Sequence, residues 1–196
     1  MTKETNIYID YIRAVLSDER YNHSLSVAEM CKRLSENYGS DPERAYLAGV
    51  LHDIRKESDI ETQKAEVEAA ARLASLTGEA PVGDEERHPK LLHAVAGAEF
   101  CKNQFGINDR ELLSAIRFHT VGKADMTLLE KIVYVGDAVS NDRKYHDVKY
   151  YKDLAFENIN KAVFEVVKFT ILKTVKNSLK VSRYSFEAYN FYSEFK

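Results

Sequence analysis

Apolar residues recur along this chain at three- and four-residue steps, and no stretch alternates long enough to read as a strand. Residues 4–17 put Ile7, Tyr11, Ala14 and Val15 on one helical stripe. Residues 22–38 do the same with His23, Val27, Met30 and Leu34, and Gly39 follows as a stop signal. Asp41-Pro42-Glu43 opens a third helix that the pattern carries to about residue 56. There Asp supplies a cap, Pro a pre-set φ, and Glu a negative charge at the positive end of the helix dipole. Further helices are predicted over 59–76, 89–104, 109–119, 126–140, 148–156 and 158–179, with Gly106 and Gly122 at two of the joints. Residues 78–89, with Pro81, Gly83 and several acids, read as the one clear loop. The expected fold is all-α, a single-domain bundle of about eight to ten helices. It divides into a domain over residues 1–180 and a tail over 181–196. Tyr184, Phe186, Tyr189, Phe191, Tyr192 and Phe195 make that tail aromatic enough to dock, within the chain or across a homodimer.

Composition narrows the class. In 196 residues there are three prolines and eight glycines, about half of average usage, which favours long helices over a turn-rich β fold. Hydrophobic residues at 44% exclude a disordered chain. A net charge of −3 argues against a partner that is a nucleic-acid polymer. The first residues lack the apolar core of a signal peptide, and no apolar run approaches the roughly 20 residues needed to cross a bilayer. Cys31 and Cys101 read as buried free thiols of a reducing cytosol, with a disulfide between them as the alternative.

The informative residues are polar ones on apolar faces. His88 and His146 fall in or beside loops and read as surface residues. His23 shares a stripe with Val27, Met30 and Leu34; His52 with Ala45, Ala48 and Leu51; His93 with Ala96, Gly97 and Phe100. His119 follows Leu112, Ala115 and Ile116, and Asp137 follows Leu129, Ile132 and Val133. One inward histidine is ordinarily a hydrogen-bonded core residue. An inward carboxylate is costly unless it is paired or bound to a cation. Five ionisable groups turned inward on five helices ask for one cause. The pair His52-Asp53 is the sharpest local feature: adjacent helical side chains diverge by about 100°, yet can converge on one ion at the edge of a stripe. With His23 and Asp137 they offer two nitrogens and two carboxylates, a mixed set suited to Fe, Mn, Co, Ni or Zn.

These residues resemble the metal-binding signature of the HD superfamily of all-helical phosphohydrolases, over roughly residues 7–180. The stretches Arg20-Tyr21-Asn22-His23-Ser24-Leu25, Leu47-Ala48-Gly49-Val50-Leu51-His52-Asp53, Leu92-His93-Ala94, Ile116-Arg117-Phe118-His119-Thr120-Val121-Gly122 and Leu128-Leu129-Glu130-Lys131-Ile132 look like its YqeK branch. That resemblance implies a bacterial cytoplasmic enzyme with an iron-type centre that splits diadenosine tetraphosphate symmetrically into two ADP. It implies a nucleotide partner, substrate or an ADP- or GDP-type product. The segment after Asp137 departs from the branch: a Glu-Pro-Asn-Arg-like pattern is replaced by Ser140-Asn141-Asp142-Arg143.

A divalent ion lowers the pKa of a bound water and polarises a phosphoryl oxygen, and phosphoryl transfer needs little else beyond positioning and charge neutralisation. Cations are therefore expected around the ligands. Lys56 lies one turn past His52, Arg20 just before His23, and Arg143 shortly after Asp137. Asp53 doubles as a ligand and a candidate base. His93 and His119 are read as bonding the phosphates and protonating the leaving group, with a second metal held between them as the alternative. Thr120 and Gly122 are weaker candidates for substrate contact, and Tyr21 for contact with a base. Three other readings stand beside tetraphosphate hydrolysis. They are another HD-type nucleotide phosphatase or phosphodiesterase, a non-catalytic nucleotide-binding domain, and a scaffold whose histidines only pack.

Overall fold

The computed structural model describes residues 3–77, 81–83 and 88–195. Ten α-helices follow one another: α1 (Lys3–Val15), α2 (Asp18–Asn37), α3 (Pro42–Leu51), α4 (Ile60–Thr77), α5 (Leu92–Phe105), α6 (Arg110–Phe118), α7 (Leu128–Val139), α8 (Val148–Glu157), α9 (Ile159–Lys176) and α10 (Arg183–Tyr192), then a 3₁₀ turn, Ser193–Phe195. No strand occurs among the described residues. Of the expected loop at 78–89, residues 78–80 and 84–87 lie outside the described residues.

Local signals set the boundaries. The Ser17 side chain accepts from the Arg20 N–H, so α2 begins four residues earlier than its stripe suggests. Asp41 accepts from Glu43 and Arg44 N–H groups and starts α3 as expected. Thr127 and Glu130 form a reciprocal capping box at the start of α7. The largest difference is the end of α3. It stops at Leu51, and residues 52–57 turn tightly instead of continuing the helix to about 56. At this stop the His52 ring reaches back to the Gly49 carbonyl at 2.7 Å, the acceptor of the next helical turn.

Helix α2 is the spine of the bundle, with α3 on one side and α7 on another. Two glycines allow these close crossings. A Cβ at Gly49 would sit 2.5 Å from Ala28 Cα, and one at Gly136 would sit 2.8 Å from Cys31 Sγ. Around them Val27, Met30, Leu34, Leu51, Ile116, Ile132 and Val133 are buried in one core. Both cysteines are buried and free, so the disulfide alternative falls. Helix α10 packs on α9 and is tied to the α6–α7 connection: Tyr192 Oη accepts from Met126 N–H at 2.9 Å and the Ser185 hydroxyl donates to Val121 O at 2.7 Å.

Helices α3 and α6 run side by side and are pinned at their starts. The Arg44 guanidinium bonds both oxygens of Asp109 and one of Glu111, each at 2.6 Å. Asp109 also caps α6 through the N–H groups of Glu111 and Leu112. Arg44 holds its carboxyl below the usual range. Its contribution is present above that usual range and lost as pH falls through the lowered value. Asp109→Ala is expected to cost about 1–2 kcal/mol, read as a lower urea midpoint at neutral pH. An unchanged midpoint would mean that Arg44 and the cap do not hold α3 to α6.

Candidate metal centre

The ends of α3 and α6 opposite this pin deliver two histidines by one device. His52 and His119 are each the residue after the helix, still in right-handed backbone conformation. Each ring donates from Nδ1 to the carbonyl three residues back, Gly49 O and Ile116 O, both at 2.7 Å. These bonds occupy Nδ1 and turn each Nε2 into the site, where His52 Nε2 has no hydrogen-bond partner and His119 Nε2 lies 3.3 Å from His93 Nε2. The two ring centres are 4.9 Å apart. The expectation that both histidines lie within helices is thus corrected: both are caps, and capping is what aims them.

Around them stand His23 from α2, Asp53 from the turn after α3, His93 from α5 and Asp137 from α7. The four histidines and Asp53 are buried, while Asp137 is 21% exposed and marks the open side. Asp53 sits between two sets of ligand-type atoms. Its Oδ2 lies 3.5 Å from His52 Nε2 and 4.0 Å from His23 Nε2. Its Oδ1 lies 3.2 Å from His93 Nε2 and 3.4 Å from His119 Nε2. Asp137 Oδ1 is 3.1 Å from His23 Nε2 and 3.9 Å from His52 Nε2. Two overlapping triads result, His23/His52/Asp137 and His52/Asp53/His119.

Lone pairs aimed at carboxylate oxygens at these distances repel unless a cation or a proton lies between them. His52 Nε2 and Asp53 Oδ1 are buried and lack a hydrogen-bond partner, which in a well-packed protein requires a cause. A divalent ion supplies that cause, and the donor set of imidazole and carboxylate matches first-row metals. The residues fit the group.

The charges respond to this crowding. Burial opposes ionisation of Asp53 and Asp137, but the facing histidines, and Arg143 beside Asp137, hold both carboxyls well below their usual range. Burial depresses His93 to about 4, against the pull of Asp53, so this ring is neutral at pH 7. Burial also lowers the Lys56 ammonium below its ordinary value, against Asp53.

Three cations form the mouth. Arg20 Nη1 donates to Asp53 Oδ2 at 2.8 Å, Lys56 Nζ lies 3.1 Å from His93 Nε2, and Arg143 Nη2 bonds Asp137 Oδ1. They remain 27%, 32% and 35% exposed, so each reaches both the cluster and solvent. Of the residues expected from sequence, His23, His52, Asp53, Asp137, His93, His119, Lys56, Arg20 and Arg143 converge here. Thr120 instead lines a separate cleft of about 640 Å³ with Thr170, Lys173, Thr174 and Lys180. Gly122 has φ +67 and packs on the Tyr134 ring, which accounts for glycine at this position. The Tyr21 ring lies under the Arg13 guanidinium, 4.8 Å from its centroid, and packs on the core. The sequence reading passed over Asp142, whose carboxylate meets His23 Nδ1 at 2.7 Å. Its spacing from His23, 119 residues, carries no local signal.

A family model described as HD domain matches residues 20–142. A Staphylococcus aureus protein named symmetrical bis(5'-nucleosyl)-tetraphosphatase is 30% identical over 182 residues, covering 91% of this chain and 89% of its own. A Bacillus subtilis protein of the same name is 31% identical, covering 91% and 92%. A crystal structure from Clostridium acetobutylicum, described as a predicted HD superfamily hydrolase involved in NAD metabolism, superposes with a TM-score of 0.84 at 32% identity, over 97% of both chains.

Proposed function

The chain belongs to the HD domain family, and from that membership we propose that it is a metal-dependent hydrolase cleaving diadenosine tetraphosphate and related dinucleoside polyphosphates symmetrically, to two ADP in the first case. The observation that carries this is the convergence of bare histidine nitrogens and carboxylates beneath a mouth of three cations. The relatives' shared name selects the substrate class. His23, His52, Asp53 and Asp137 would hold the ion; the family resemblance favours iron, and the same donor set suits Mn, Co, Ni or Zn. When bound, the ion supplies Lewis acidity toward a phosphoryl oxygen and brings water within reach of neutral-pH nucleophilicity.

The chain's own groups do the rest. Arg20, Lys56 and Arg143 neutralise the polyphosphate and centre it, so that the P–O–P bridge between its second and third phosphates, whose P–O bond breaks as ADP leaves, lies at the cluster. Asp53 accepts the proton of the attacking water. Lys56, its ammonium already near His93, stabilises the charge gathering on the departing ADP. His119 stands with His52 and Asp53 in a second group that could hold an ion, while His93, whose Nε2 meets Lys56 Nζ at 3.1 Å and His119 Nε2 at 3.3 Å, faces the phosphates beside that ammonium.

The test is product analysis. Mn²⁺-loaded protein incubated with diadenosine tetraphosphate is expected to yield ADP alone by ion-exchange chromatography. AMP with ATP would overturn the symmetrical reading, and release of inorganic phosphate would move the chain to another HD-type activity. Arg20→Ala is expected to lower kcat/KM about 10- to 100-fold at saturating Mn²⁺, the range for a lost charged hydrogen bond. Steady-state kinetics unchanged from wild type would remove Arg20 from the phosphate site.

A further inference from the structure

Three of the cluster's rings are anchored at Nδ1, and their anchors differ. His52 and His119 donate to backbone carbonyls of their own helices, each at 2.7 Å. His23 instead meets the Asp142 carboxylate, also at 2.7 Å. That carboxylate is held in place: Oδ1 accepts from the Ser140 hydroxyl at 2.7 Å, and the Asp142 N–H donates to Ser26 Oγ at 3.3 Å. Ser26 lies one turn after His23 on α2, so the 140–143 segment clasps the spine helix. The next residue, Arg143, bonds both the side chain and the backbone carbonyl of Asp137. One short segment thus grips two facing ligands, His23 through Asp142 and Asp137 through Arg143. Aligned on this arginine, Asp142 stands where the branch pattern described above has asparagine.

We propose that Asp142 is a positioning residue for the metal, which makes His23 the most strongly donating nitrogen of the cluster. The inference rests on the metal site proposed above. A carboxylate accepts from an imidazole N–H more strongly than a neutral carbonyl does. It pulls the Nδ1 proton toward itself and leaves more electron density on Nε2, the atom that faces Asp137 and Asp53 and lies 3.4 Å from Arg143 Nη2, the cation a bound ion would compete with. It also fixes the rotation of a ring that, unlike His52 and His119, sits mid-helix and has no carbonyl within its own turn to bond. Outer partners of this kind change metal affinity by about 10- to 100-fold when removed.

The experiment measures Mn²⁺ dissociation constants by chelator competition for wild type, Asp142→Asn, Asp142→Ala and Asp53→Ala, with the thermal midpoint of each metal-free protein. Asp142→Asn keeps the shape and removes the charge. Both Asp142 variants are expected to bind Mn²⁺ about 10- to 100-fold more weakly, with metal-free midpoints near wild type. Saturating Mn²⁺ is expected to restore their kcat/KM. Affinity within twofold of wild type in both variants overturns the proposal. So does weakened binding matched by an equal fall in the metal-free midpoint, which would make Asp142 a fold residue only. If Asp53→Ala binds Mn²⁺ as wild type does, the metal site itself fails, and the proposal with it.

Discussion

Asp53→Ala is expected to lose divalent-ion binding and hydrolysis together, with turnover down by about 10⁴-fold or more, as when one member of a catalytic unit is removed. No other residue of the cluster touches as many partners. Its two oxygens face His23, His52, His93 and His119, and it accepts from Arg20. Removing it takes away the carboxylate that faces all four histidines and leaves Arg20 without its anchor. Asp53→Asn keeps the volume and is expected to behave nearly as badly, because an amide lacks the negative charge that the ion requires. Metal content after loading with Mn²⁺, and ADP release by the same sample, check both variants. Circular dichroism confirms that they fold. A variant that keeps either its metal or its turnover would remove Asp53 from the centre of the site.

The second large effect lies away from any ligand. Gly49→Ala places a methyl 2.5 Å from Ala28 Cα and 2.8 Å from Ala28 N, contacts with backbone that no rotamer change relieves. Alanine in a helix interior is intrinsically better than glycine by up to about 1 kcal/mol. Overpacking of a dense core costs about 1–3 kcal/mol, and more where backbone must move. Because the clash is with backbone, the cost falls at the upper end of that range and the second term wins, so the variant is expected to be destabilised by about 2 kcal/mol, as a lower urea midpoint. A functional consequence follows from what the two helices carry. Helix α2 presents His23, α3 delivers His52, and their ring centres are 5.3 Å apart. Wedging α2 from α3 separates these ligands, so Mn²⁺ affinity should fall as well. A Gly49→Ala protein that is more stable than wild type would show that the crossing has slack.

The sequence made the helices and the ligands legible for a common reason. A buried histidine or aspartate breaks the apolar stripe of its helix, so His23, His93 and Asp137 stand out against Val27, Phe100 and Ile132 once the period is read. What stayed hidden was contact between elements. The pattern carried α3 to about residue 56, because Leu47, Leu51 and Ile54 keep a helical phase. The stop at Leu51 coincides with the ring of His52 bonding the Gly49 carbonyl, a contact with no signature in hydrophobic period. Thr120 was placed beside the substrate by its neighbour His119. The turn after α6 sends the two in different directions, His119 into the cluster and Thr120 to another cleft. Asp142 was noticed only as a departure in a loop, since its partner His23 lies on the far side of the chain. The tight crossings at Gly49 and Gly136 were likewise silent, because a glycine inside a helix reads as a weakness until its neighbour is known.

The central claim is that one buried cluster holds the divalent ion. Anomalous diffraction from a crystal of the Mn²⁺-loaded protein tests it most directly. The predicted result is a manganese peak bonded by His23, His52, Asp53 and Asp137, absent from crystals of Asp53→Ala. A hydrolytically active crystal form with no peak at that cluster, or with manganese held only by residues elsewhere, would contradict the account.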